Sequence, residues 1–144
     1  MVHQATQEIS NYFTVKGIKH RIEERETVSV VEAGFSGDNI KGAIVRFFSR
    51  DEDNDVSVRV FDFGGISVPA AKKDVIIEKI NEMNHKYRYV KFVFLNDDNS
   101  INVEYDLPTS TPANGVGEIC REIFIRLMNI LDEAYPEFMR ALWS

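Results

Sequence analysis

The chain has 144 residues, 44% of them hydrophobic and 28% charged, with a formal net charge of −6 and a pI near 5.1. That length suits a single domain, residues 1–144, able to bury roughly 70% of its unfolded surface without metals or disulfides. The acidic balance repels a phosphate backbone and no apolar run is long enough to cross a bilayer, so neither nucleic acid nor membrane is an expected partner. The opening segment MVHQATQEIS lacks a basic-then-apolar secretory pattern, and the one cysteine, Cys120, cannot close an internal disulfide; a cytoplasmic setting is expected.

Taken in order, Ile9, Tyr12 and Phe13 predict an amphipathic helix from about Ala5 to Lys16, with Gly17 at the left-handed cap. A helix of about a dozen residues is marginal in isolation and must dock on something larger. After the charged passage KHRIEERE, the β-branched run TVSVVEAGF reads as a strand whose facing is left open by adjacent Val30 and Val31. Gly34, Gly37, Asp38 and Asn39 mark a turn. Gly42 to Ser49, broken by Arg46, then reads as a central strand covered on much of both faces. The polar run Asp51, Glu52, Asp53, Asn54, Asp55 turns into SVRVFDF, where Val56, Val58 and Val60 share one face and Ser57, Arg59 and Phe61 the other. Three neighbouring strands with short turns form an antiparallel meander.

Pro69 suits the first position of a second helix, continued by Ile76, Ile80, Met83 and Tyr87. Val90, Phe92 and Phe94 begin a hairpin through Asn96-Asp97-Asp98-Asn99. On its second strand Ile101, Val103, Tyr105 and Leu107 face one way, with Asn102, Glu104 and Asp106 on a wet side. The loop PTSTPANG leads into VGEICREIFIRLMNIL, whose Val116, Cys120, Ile123, Phe124, Leu127, Ile130 and Leu131 make one apolar stripe. That stripe predicts a long C-terminal helix packed on the sheet, ended or bent near Pro136 and followed by a final turn or two in PEFMRALW. The fold class is α+β: helix, three-strand meander, helix, hairpin, long helix.

Few residues combine into chemistry. Asp51, Asp53, Asp55 and Asp62 have the spacing of a calcium loop, but Val56 replaces the required glycine and the segment continues as a strand. His3, His20 and His85 are scattered, so no metal or other cofactor is expected. Gly34-Phe35-Ser36-Gly37 lacks the closing glycine of a nucleophile elbow, and Gly115-Val116-Gly117 lacks the third glycine of a dinucleotide fingerprint. The cations and aromatics of His85 to Lys91 read as core anchors, Tyr87 and Tyr89, flanked by snorkelling charges. Phe138, Leu142 and Trp143, with Met139 beside them, form an apolar patch free to dock on the domain itself, on a second copy or on a client. No enzyme is expected. Two functions stand: a protein-binding regulatory or chaperone-like module, and a small-molecule sensor with its ligand between sheet and helices.

A resemblance narrows the field. Ile80-Asn81-Glu82-Met83-Asn84, Arg88-Tyr89-Val90-Lys91, Asp97-Asp98, Val103-Glu104-Tyr105-Asp106-Leu107 and Asn114-Gly115-Val116 resemble the signature of the bacterial YbjN family, which is associated with sensory transduction regulation. Met83 stands where that family often carries tryptophan, and Asn114 where it carries glycine. The resemblance implies a domain similar to type III secretion chaperones, which dimerise and bind extended client segments. It implies a homodimer, a client protein or peptide as partner, and no catalytic residues. Asn81, Asn84, Asp106 and Gly115 belong to the signature, with a structural role expected of them, Asn81 and Asn84 by bonding backbone groups at the helix-to-strand corner.

Overall fold

Residues 2–50, 55–108 and 115–144 are described in the computed structural model. The elements are α1 (Gln4–Val15), β1 (Arg21–Glu24), β2 (Ser29–Phe35), β3 (Ala43–Ser49), β4 (Asp55–Val60), α2 (Lys73–Lys86), β5 (Lys91–Leu95), β6 (Ser100–Pro108) and α3 (Val116–Trp143). The expected meander and hairpin join into one antiparallel sheet of order β1-β2-β3-β4-β6-β5, because β6 returns beside β4 and leaves β5 outermost. The sheet also gains a strand from the charged passage. Arg21–Glu24 pairs with Ser29–Glu32 although Ile22 is its sole apolar residue, as suits an edge strand that must not recruit neighbours.

Side chains alternate about the sheet plane, and one face carries the core. Val31, Ala33, Val45, Phe47, Val56, Val58, Ile101, Val103 and Phe92 are all buried there. Above them α3, 28 residues and about 42 Å long, presents Val116, Cys120, Ile123, Phe124, Leu127, Leu131 and Phe138, all buried. Phe124 meets Phe35 at 6.1 Å between ring centroids and Phe138 meets Phe92 at 5.3 Å, so the long helix rests on strands near both edges of the sheet. α1 flanks its N-terminal half, where a Cβ on Gly117 would sit 2.5 Å from Tyr12 Cβ and 2.9 Å from the Glu8 carbonyl. α2 flanks its C-terminal half through Lys86–Glu133 at 3.1 Å. Beneath α1, Thr6 bonds the Ser49 hydroxyl and accepts from Ser29 at 2.7 Å, a buried hydroxyl cluster tying the helix to β2 and β3.

Several expectations are corrected. The long helix does not end at Pro136, and PEFMRALW is not a separate turn; the helix continues through the proline to Trp143. Proline removes the N–H that would bond the Asp132 carbonyl, and the Asn39 side-chain amide donates to that oxygen instead, at 3.2 Å. Pro69 does not start an α-helix directly, since a 3-10 turn at Ala70–Lys72 intervenes. β3 is central but not covered on both faces: Ile44 is 45% exposed, because the packed helices lie on one side. Tyr89 is no core anchor. Its φ of +70° turns the ring outward, 71% exposed, while Tyr87 is half-buried against the core. Of the three dockings open to the C-terminal apolar patch, Phe138 takes the one on its own domain, fully buried against Phe63 and Phe92, and Met139 and Leu142 pack partly on the same core.

Candidate functional site: the open face of the sheet

The face opposite the helices is built around one row of charges crossing all six strands. Arg21, Glu32, Arg46, Arg59, Glu104 and Lys91 are successive cross-strand partners. Glu32, whose side chain is almost wholly buried, accepts from Arg21 and Arg46, each at 2.9 Å. Lys91 lies 3.2 Å from Glu104, and Arg59 donates to Asp106 at 2.5 Å. Arg46 and Arg59 therefore stand directly opposite each other with like charge, each held by carboxylates on its outer side. Phe61 lies beside them: the Arg46 guanidinium sits 5.6 Å over its ring, and Phe48 meets it edge-on at 6.1 Å.

Past that arginine pair β3 and β4 part. Residues 43–45 pair with β2 but not with β4, whereas Val60 pairs with Val103 of β6. Asp62 then takes left-handed backbone geometry (φ +51°), Phe63 turns down into the core, and Gly64 follows at φ +65° where a Cβ would strike Tyr135. The divergence opens a cleft of about 570 Å³ lined by Gly34, Ile44, Arg46, Phe61 and Asp62 among others. A second cleft of about 520 Å³ lies on the far side of Phe61 and Asp62, against Leu95, Asp98 and Asn102. Asn102 fixes the wall between them by accepting the Asp62 backbone N–H at 3.0 Å.

The outer edge at β5 is closed by a side chain from the family-like signature. Asn84 accepts the Phe92 N–H at 2.7 Å and donates to the Phe92 carbonyl at 3.1 Å, occupying backbone groups that another strand would use. Asn81 is exposed, Asp106 is the acceptor for Arg59, and Gly115 supplies the left-handed residue (φ +78°) that opens α3. Of the expected contact patch, Trp143 stands 81% exposed at the end of the long helix.

Other candidates resolve into structure. Ser10 Oγ and His20 Nε2 are 2.7 Å apart, and His20 Nδ1 donates to the Ile18 carbonyl at 2.8 Å, which has the geometry of a dyad. Neither residue lines either cleft, and the pair ties the end of α1 to the approach of β1. The glycine turn before β3 is an anion cradle already filled: the backbone N–H groups of Asp38, Asn39 and Ile40 donate to the Asp132 carboxylate at 3.2, 2.7 and 2.9 Å. Those bonds, the Ile40 one foremost, hold the Asp132 carboxyl below the ordinary aspartate range. Gly37 lacks a Cβ that would lie 2.3 Å from Asp132 Oδ1, so glycine is what permits the approach. Burial pushes the Cys120 thiol far up, making it a core residue rather than a nucleophile. No group of three or more metal-capable side chains occurs among the described residues; of the aspartates with calcium-loop spacing, Asp51 and Asp53 lie outside them.

The YbjN family's sequence model, "Putative bacterial sensory transduction regulator", matches residues 6–128. Among solved structures, that of E. coli YbjN, described as "a putative transcription regulator", is similar with a TM-score of 0.60 and 13% identity over 91% of each chain, a likeness that shows the fold alone. No curated protein matches.

Proposed function

The chain belongs to the YbjN family, and from that membership we propose that it is a regulatory module that acts by binding rather than by catalysis, holding an extended segment of a client protein on the open face of its sheet. The observation that carries this reading is the one-sided architecture. Helices cover one face, while the other sets exposed Ile44 and Phe61 beside the row of charge pairs. Exposed apolar side chains next to paired charges give an extended segment both burial and polar anchoring. Asn84 of α2, bonded to the Phe92 backbone of β5, favours docking across the face over strand addition at that edge.

Photo-crosslinking in cells tests the reading, with a photoreactive side chain at position 44 or 61 and, as control, at exposed Val75 on the helix layer. Adducts to one discrete protein from the first two sites, absent from the third, support it. Absence of adducts from 44 and 61, or equal adducts from all three, overturns it. The assembly proposed for the module is a homodimer, with Trp143 as its exposed apolar contact. Sedimentation equilibrium should give twice the monomer mass for the native chain and dissociation for Trp143→Ser; a monomer at every concentration refutes the dimer.

A further inference from the structure

We propose that the cleft between the diverging ends of β3 and β4 binds a free α-amino acid with an apolar side chain. The cleft carries one cation and one anion that do not neutralise each other. Arg46 donates through Nε to Glu32, which fixes the guanidinium in place, and its two terminal nitrogens make no hydrogen bond among the described residues. Asp62, on the other wall, has a carboxylate without hydrogen-bond or ion-pair partner among those residues, although its backbone N–H is anchored on Asn102. A guanidinium suits a carboxylate, ideally through two parallel N–H bonds, and a carboxylate suits an ammonium group. A small zwitterion meets both demands at once.

The remaining lining decides the side chain. Ile44 and Phe61 are apolar, Phe61 with Arg46 over its ring, Val60 and Phe35 reach the cleft from the core, and Gly34, Gly42 and Gly64 keep the walls free of other side chains. A volume of about 570 Å³ lies in the range of clefts that hold small molecules. The cleft lies between the strands, with Ile44, Arg46 and Phe61 on the open face and Val60 and Phe35 continuous with the core, whose interior is filled by side chains. A peptide terminus would supply one charge but not both, so the chemistry selects the free amino acid over a chain end. The inference does not depend on the docking of a client.

Amide-resolved NMR titration of the purified chain tests it, using L-leucine, L-isoleucine and L-phenylalanine together with their N-acetyl and carboxamide forms. At least one free amino acid should saturably shift the amides of Gly42, Ile44, Phe61 and Gly64, and blocking either terminus should weaken binding at least about tenfold, the worth of one charge-assisted hydrogen bond. Asp62→Asn should weaken the free amino acid by a similar factor and leave the fold intact, since asparagine tolerates left-handed geometry as well as aspartate does. Arg46→Gln probes the other charge; if loss of the Glu32 partner unfolds it, Asp62→Asn and the blocked ligands still decide. The proposal is overturned if no free amino acid in the panel saturates, if blocked forms bind equally, or if the shifts map away from the cleft.

Discussion

Asn81 and Asn84 share a helix, a sequence signature and a side-chain chemistry, yet the structure separates them. Asn84 bonds both backbone groups of Phe92, while Asn81 points to solvent. Asn84→Ala should therefore lower stability by about 1–3 kcal/mol, the range for two net hydrogen bonds to a partly buried backbone, and Asn81→Ala by under about 0.5 kcal/mol. Urea titration of the two variants checks this, and equal losses would mean that Asn84 is not the clasp on the β5 edge. Gly117 gives a prediction of opposite sign to propensity. Alanine is the better helix former by up to about 1 kcal/mol, but its Cβ would collide with Tyr12 and the Glu8 carbonyl, an overpacking cost of about 1–3 kcal/mol. Gly117→Ala should thus lower the thermal midpoint; a rise would show that α1 can retreat from α3 without loss.

At the scale of elements, the loop before β3 and the second half of α3 form one latch. Three loop amides hold the Asp132 carboxylate, and Asn39 stands in for the N–H that Pro136 lacks. Because these bonds favour the ionised carboxyl, the latch contributes fully above the ordinary aspartate range, and its contribution is lost as pH falls through the depressed folded value. The amide shifts of Asn39 and Ile40 should accordingly titrate with a midpoint below that of a free aspartate, and Asp132→Ala should abolish the titration and speed hydrogen exchange at 38–40. A midpoint at or above the ordinary value would contradict the latch. The latch has no local signature. Gly37, Asp38 and Asn39 announce a turn from sequence, and Pro136 announces a helix break, but nothing local says that the turn repairs the helix more than ninety positions away. The strand at Arg21–Glu24 was hidden for a related reason: its stability comes from pairing with β2 and from the Arg21–Glu32 bridge, not from an apolar pattern of its own.

Over the whole molecule, what periodicity could express was legible. The stripe from Val116 to Leu131 and the alternation of Val56, Val58 and Val60 identified the core face and the α+β class, and the structure buries all three valines and most of the stripe. Long-range pairing was not legible, so the joining of β4 to β6, the charge row across six strands and the cleft between β3 and β4 emerged from the fold. The burial of Phe138 has the same origin, since its partners Phe63 and Phe92 come from distant segments. If α3 and the sheet share one cooperative core, its interior thiol should report the opening of the whole. Cys120 is fully buried, desolvation holds it protonated, and Leu127 lies two helical turns further along the same stripe. A thiol reagent should therefore modify the native chain only through opening of the core. Leu127→Ala, expected to cost about 2–5 kcal/mol by leaving a cavity, should speed that modification by roughly 30-fold to several thousand-fold where opening and closing outpace the chemistry. Stopped-flow labelling under native conditions, beside urea titration of the same variant, measures both quantities. If Cys120 in the unaltered chain reacts at the rate of an exposed thiol, or if Leu127→Ala loses stability without faster labelling, the long helix opens separately from the sheet and the single-core architecture is wrong.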